Sequence, residues 1–279
     1  GLAFKNLDIP INTTIHTPLY FILRKFPKTI PEVKRDTISK ILDIEAQAIQ
    51  ASNSLIFLSN DMKNVVSKDI EINNIKSIYT MYNPCKIPET IDYDAFEQTK
   101  LKILYFGRLE ERKGVHLLPK IFAIFQKNQI NFELNIVGND SIYNGESMLI
   151  YLKKEFSKLN IKFNYFGFLE KNDLGEKILQ NAVVLVPSLY DNSAFAAQEA
   201  MCFGRFVVCS DKGGTAEYVG RNGLIFDPQN EHSIQIMANS LKINNLREIA
   251  SNARDFSVLN FSNHKYTEKY LKILSYAIN

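Results

Sequence analysis

The 279 residues contain no apolar run of about 20, the length a helix needs to cross a bilayer, so no transmembrane helix is expected. Cysteine is scarce. Cys85, Cys202 and Cys209 are odd in number, and no two form a Cys-x-x-Cys pair. This excludes a disulfide framework and a cysteine zinc site, and it points to a reducing compartment. Cys202 and Cys209 lie in apolar company and read as core fillers. An excess of either charge sign is nearly absent: the net charge is only +3, which argues against nucleic acid as a partner. The opening Gly1-Leu2-Ala3-Phe4 reads as neither a signal peptide nor a plausible initiator. That opening reads like the tail of a helix entered mid-domain, so a preceding N-terminal part is expected.

An apolar share of 46% beside 23% charged residues is ordinary for a globular chain, so a packed core is expected. In the first hundred residues, 9–15 read as a buried strand with His16-Thr17-Pro18 at its end. Residues 36–51 carry Ile38, Ile41, Leu42 and Ile44 at helical intervals, with Asp36 able to cap. Further strands are expected at 54–59 and 78–81, with a short helix from Asn60 between them. Residues 83–99, rich in turn formers and acids, read as an interdomain linker.

From Leu101 a regular β-α alternation begins. Strands are predicted at 102–106, 132–137, 161–166, 183–186, 205–209 and 224–226. Helices are predicted at 115–127, 146–159, 172–181, 194–203, 215–219 and 231–241. Strands separated by helices of this length form parallel βαβ units, so the class is α/β with a doubly wound sheet. Ligands of such sheets bind beyond the strand C-termini. Gly107, Gly138, Gly167, Ser188 and Ser210 all follow strand ends and are expected around one crevice.

Two stretches there carry chemistry. Gly107-Arg108-Leu109-Glu110-Glu111-Arg112-Lys113-Gly114 combines glycine, which admits close backbone approach, with the planar fork of Arg108 and the point charge of Lys113. Alone it reads more readily as a solvated charged loop than as a phosphate site. The second stretch follows Val183–Val186: Pro187-Ser188-Leu189-Tyr190-Asp191-Asn192-Ser193-Ala194-Phe195-Ala196-Ala197-Gln198-Glu199-Ala200-Met201. A helix N-terminus there would favour an anion. Asp191 and Glu199 are eight positions apart, a little over two helical turns. Asp191 fits either a helix cap or a ligand contact. Glu199 stands among alanines and Met201, in a turn expected to be packed, where a carboxylate needs hydrogen-bond partners.

Taken in order, Phe106-Gly-Arg-Leu with Lys113-Gly, Val186-Pro-Ser, Asp191 separated by seven residues from Glu199-Ala-Met, Gly204-Arg-Phe-Val-Val, Ser210-Asp-Lys-Gly-Gly-Thr-Ala-Glu217 and Asn222-Gly-Leu-Ile-Phe resemble the nucleotide-sugar domain of the family-4 retaining glycosyltransferases. The likeness is strong over roughly residues 100–230 and weaker before them. It implies a GT-B fold: a partial acceptor-side Rossmann-like domain and linker over 1–98, a donor domain over 99–255, and a C-terminal helical segment, 256–279, packing back on the N-terminal domain.

The resemblance also implies roles. Arg108 and Lys113 would hold the donor diphosphate, with Gly107 allowing its approach. Glu199 would bind ribose hydroxyls, and Asp191 the donor sugar. Backbone N–H groups of Ser193, Ala194 and Phe195 would face phosphate or sugar oxygens. Gly167-Phe168-Leu169 would hold the base. His16 would face the sugar, although a capped strand end reads it as well. Two positions depart from the family: Asp191 replaces the usual Glu, and Ala194 the usual Gly, which leaves the sugar preference open.

The implied activity is transfer of a hexose from a UDP- or GDP-linked donor to a glycan or lipid-linked acceptor, in cell-envelope polysaccharide or glycolipid synthesis, without a cofactor or metal. Asp92-Tyr93-Asp94 lies in the linker and is not read as a metal site. Competing readings are a donor-binding module without turnover and an epimerase of the same architecture. A cytoplasmic location is expected, with the basic stretch Arg24–Arg35 serving either as a solvated loop or as a contact with the inner face of the membrane.

Overall fold

A computed structural model describes residues 10–27, 35–242 and 245–278. The chain divides into two units, one of Gly1–Asn83 with Asn263–Asn279, the other of Pro84–Ser262. Among the described residues, no helix is long and apolar enough to cross a membrane.

In the first unit, β1 (Asn12–Ile15), β2 (Ser54–Phe57) and β3 (Ser77–Thr80) form a parallel sheet in that order. Helices α1 (Leu19–Lys25), α2 (Arg35–Gln50) and α3 (Asn60–Asp69) connect them. The Glu45 carboxylate of α2 accepts from the Leu19 and Tyr20 N–H groups at 2.8 and 3.0 Å, satisfying the open N-terminus of α1. Ser59 caps α3 by accepting from Met62 N at 3.1 Å. In the helix Asn263–Ile278, Ile273 packs with Ile56 and Met81, and Tyr266 and Tyr270 lean on the same cluster. The basic stretch after Pro18 thus begins as a helix that its composition does not announce. Lys28, Glu32 and Lys34 of that stretch lie outside the described residues, as does Gly1-Leu2-Ala3-Phe4.

The second unit holds β4 (Leu101–Phe106), α4 (Leu118–Lys127), β5 (Phe132–Val137), the short hairpin β6 (Ile142–Tyr143) and β7 (Glu146–Ser147), and α5 (Met148–Lys158). Next come β8 (Phe163–Tyr165), α6 (Lys171–Leu179), β9 (Val183–Val186), α7 (Phe195–Cys202) and β10 (Phe206–Ser210). The unit ends with α8 (Thr215–Val219), β11 (Gly223–Phe226), α9 (Glu231–Ser240) and α10 (Leu246–Phe261). Six of these strands form one parallel sheet in the order β11-β10-β9-β4-β5-β8. The chain winds outward from β4 through β5 to β8, then returns to β9 and winds the other way. The reversal falls between β4 and β9, where a doubly wound sheet opens its crevice.

The central strands are apolar throughout because both faces are covered: every residue of β9 and β10 is buried. One layer of the core is aromatic, with Phe122 ring centroids 4.9 Å from Phe132 and 5.1 Å from Phe125. Where a helix is expected from residue 146, a hairpin turn at Asn144 and Gly145 (φ 49° and 85°) comes first, and Ser147 caps α5 through Ile150 N at 3.1 Å. Residues 84–98, expected to link the domains, group with the second unit and carry a single 3-10 turn, Asp94–Glu97.

Arg205 ties that segment down. The fully buried guanidinium donates to Phe203 O at 2.9 Å, Leu179 O at 3.1 Å and Asp92 O, and lies 5.4 Å from the ring centroids of both Tyr93 and Phe96. Arg205→Ala would leave three carbonyls without this donor. An expected loss of about 3 kcal/mol of stability, read by urea denaturation, follows from such unmet acceptors.

Candidate active site

The loop after β4 and the turn after β9 meet across the reversal point. Leu189 N donates to Arg112 O at 2.8 Å, and Arg112 Nη1 donates to Tyr190 O at 3.3 Å. Gly114 has φ 72°, and a Cβ there would stand 1.8 Å from Pro187 O, so only glycine allows this approach. The 3-10 turn Glu111–Lys113 just before it aims Lys113 along the turn. Lys113 Nζ donates to Asp191 Oδ2 at 2.5 Å, with the two side chains 24% and 12% exposed. Arg108 is 68% exposed and lies 3.4 Å from Glu110, which also takes Arg112 Nη2 at 2.8 Å. Gly107 and Gly138 continue the rim: Gly107 N donates to Val137 O at 3.0 Å and Gly138 N to Gly167 O at 2.7 Å.

Asp191 is fixed from below by α8 and the loop before it. Its N–H donates to Lys212 O at 3.2 Å, and its carbonyl accepts from Thr215 N at 3.3 Å and Thr215 Oγ1 at 3.2 Å. Burial, and after it the charge of Asp191, holds the Tyr218 phenol well above its ordinary pKa, so the acid faces a neutral neighbour. The Ala194 backbone is committed in the same way: its N–H donates to Thr215 Oγ1 at 3.0 Å and its carbonyl accepts from Tyr218 Oη at 3.0 Å. This corrects the expectation that the Ala194 N–H faces a ligand. Ser193 is buried beside it, while the Phe195 side chain is exposed.

Glu199 occupies a different recess. Phe195, Glu199 and Phe203 follow one stripe along α7 and its end, at spacings of four. They line a cavity of about 570 Å³, together with Lys171, Leu174 and Ile178 of α6 and residues Pro84–Thr90. The cavity wall is held by Cys85 N donating to Phe261 O at 2.7 Å, and by Arg254, which donates to Pro88 O at 2.7 Å and Cys202 O at 2.6 Å. Burial raises the Glu199 pKa, and the positive charge of Lys171 partly offsets this.

The structure therefore groups Gly107, Arg108, Lys113 and Asp191 in one cluster, and Phe195 with Glu199 in the adjoining recess. Gly167, Phe168 and Leu169 lie past β8, with Phe168 exposed, outside the lining of that recess. His16 is exposed at the end of β1 in the other unit. Asp92 Oδ1 accepts from Asp94 N at 3.2 Å in a local turn. Among the described residues, no group of three or more His, Cys, Asp or Glu is placed to hold a metal. Sequence reasoning missed Arg112, Lys171, Thr215 and Arg254. Arg112 stands in the same run of charge as Lys113, but nothing in the local pattern marks the other three.

The model of the family described as Glycosyl transferases group 1 matches residues 87–256, well over half of the chain. The chain belongs to this family. Every residue of the strand-end cluster and of the cavity beside Glu199, apart from Pro84–Lys86, lies inside the group 1 match. Among relatives, the uncharacterised glycosyltransferase YqgM of Bacillus subtilis is 26% identical over 215 residues, covering 77% of this chain and 55% of its own length. The chain thus spans about half of that relative. Among solved structures, the sucrose-phosphate synthase of Thermosynechococcus elongatus matches with a TM-score of 0.79 at 17% identity, covering 100% of this chain and 71% of its own. HepE of Anabaena, in complex with UDP-glucose, matches with a TM-score of 0.76 at 18% identity, covering 95% and 72%. The fold of this group 1 glycosyltransferase chain is GT-B, the α/β class its strand pattern predicts.

The raised pKa of Glu199 has a stability consequence. A carboxyl whose folded pKa exceeds its unfolded value favours the native state fully only below the unfolded pKa, near 4.5, and that contribution is lost as pH rises through the folded pKa. Glu199→Gln is therefore expected to melt above the parent at neutral pH. The gap should close below about pH 4, as thermal denaturation across a pH series would show.

Proposed function

We propose that this chain is the donor-binding part of a retaining, metal-independent glycosyltransferase. It would transfer a hexose from a nucleoside diphosphate sugar to a glycan or lipid-linked acceptor in cell-envelope polysaccharide or glycolipid synthesis. The observation that carries this reading is the pairing of Lys113 with Asp191 at the reversal point between β4 and β9, with Arg108 exposed on the same loop. Cations there suit the diphosphate and acids suit sugar hydroxyls. HepE, a structural neighbour, binds UDP-glucose at the level of its own structure, which supports a UDP- or GDP-linked donor here.

On this reading the diphosphate lies against Arg108 and Lys113, and Asp191 takes hydroxyls of the sugar. The recess beside Glu199 opens next to this cluster along α7, and Glu199 takes the ribose hydroxyls. As the glycosidic bond stretches, negative charge grows on the leaving diphosphate. Fixed cations then stabilise the transition state more than the ground state. No protein nucleophile is needed for this step. His16, on the other unit, is assigned to a sugar hydroxyl, and Arg24–Arg35 to a peripheral contact with the inner face of a membrane. Both assignments stand on the resemblance and the charge pattern. The reaction is accordingly placed in the cytoplasm.

A thermal-shift screen with UDP-, GDP- and ADP-sugars tests the donor class. Binding at about 100 times Kd stabilises the native state by about 2.7 kcal/mol, enough for one donor to stand out. No response to any of them would overturn the reading. Lys113→Ala is expected to lower kcat/KM, measured by release of nucleoside diphosphate, by about two to three orders of magnitude while the melting point falls only a few degrees. Binding without release in the parent chain would favour a donor-binding module over an enzyme.

A further inference from the structure

Acids at the strand ends pair with the cations there and leave one positive charge in excess. Glu110 sits between Arg108 and Arg112, and Asp191 holds Lys113 at 2.5 Å. Under the proposed function, Lys113 and Asp191 need different partners: a phosphate oxygen for the ammonium, a sugar hydroxyl for the carboxylate. A diphosphate brought to Lys113 while Asp191 still holds it sets like charges side by side in a partly desolvated site. A sugar hydroxyl eases that competition, because it gives Asp191 a hydrogen-bond donor to replace the ammonium it gives up.

We propose that the Lys113–Asp191 ion pair is a latch that distinguishes the intact donor from the spent nucleoside diphosphate. The donor's sugar engages Asp191 and releases Lys113 to the diphosphate. The product has lost its sugar, so its diphosphate must compete with Asp191 for Lys113 and is held more weakly. Asp191 then has two roles: it orients the sugar, and it lowers the affinity for product. This inference rests on the donor-site reading above.

The surroundings confine the exchange to side chains. The Lys113 backbone is fixed between its N–H bond to Glu110 O at 3.0 Å and the close approach of Gly114 to Pro187. The Asp191 backbone is fixed by Lys212 and Thr215. With both backbones held, the exchange is left to the two side chains. A latch closed in most molecules reduces the apparent affinity by the fraction left open, about three- to tenfold for 10–30% open.

Calorimetry on the full 279-residue chain with UDP, GDP and ADP and their glucose-linked forms tests this. The parent should bind the sugar-linked form of its preferred nucleotide more tightly than the free diphosphate. Asp191→Asn should bind the free diphosphate about three- to tenfold more tightly and lose the preference for the sugar-linked form. Lys113→Gln should lose affinity for both by more than tenfold, an order set by the loss of a charge-assisted contact. Asp191→Ala serves as a second variant, expected to shift in the same direction as Asp191→Asn, with circular dichroism confirming the fold of each. Unchanged or weaker diphosphate binding in both Asp191 variants, with Lys113→Gln impaired, would overturn the latch and leave the donor site standing. A parent chain that binds none of the six compounds would overturn both.

Discussion

The structure of the donor-side unit depends on one backbone clamp across the point where the sheet reverses its winding. A doubly wound sheet separates the loops after β4 and β9 because their helices leave to different sides. Left to the topology, residues 78 positions apart would stand on opposite lips of a crevice. The bond from Leu189 N to Arg112 O and the approach of Gly114 to Pro187 draw the lips together. Lys113 and Asp191 meet because their backbones already do. The ion pair is a consequence of the clamp, since a partly exposed pair alone contributes too little to hold two loops in place.

Around this clamp, polar side chains are spent mainly on carbonyls. Thr215 fixes Asp191 and Ala194, Arg205 gathers the ends of α6 and α7 with the segment at Asp92, and Arg254 joins Cys202 to Pro88. Each lies where chain segments end or bend, and where backbone acceptors would otherwise be buried without donors. The walls of the Glu199 recess are therefore positioned by groups that never face it. Its rigidity comes from α10, well away in sequence from both α6 and α7.

Much of this architecture is legible in the sequence because burial on both faces leaves an unbroken apolar signal. Val183–Val186 and Phe132–Val137 coincide with strands for that reason, and Thr215–Val219 is bounded by glycines at Gly214 and Gly220. The errors fall where a local signal competes with another. The Asn144-Gly145 turn was available as a hairpin mark, but the apolar periodicity after it favoured starting the helix at residue 146, over the second strand of the hairpin. Helix α1 is short and basic at its end, and its N-terminus is satisfied by Glu45 from another helix, which no local pattern encodes. At the candidate site, residue types on the loops were readable as cations for phosphate and acids for hydroxyls. Their arrangement relative to one another was not. That Lys113 and Asp191 bond to each other, and that Ala194 N–H is taken by Thr215, are tertiary facts with no local trace.

On the proposed donor-site reading, this pairing of acids with cations suits a chain of net charge +3 to a multiply charged ligand. With so small a net charge, long-range attraction cannot concentrate an anion at the crevice. A permanently open cluster of cations would also hold the spent diphosphate as firmly as the donor. Acids placed on the cations address the second difficulty. They let the loop fold without ligand, and they make each phosphate contact conditional on another group taking the acid's place. Under the proposed latch, ligand affinity depends less on how many cations line the crevice than on which partner displaces Asp191 from Lys113.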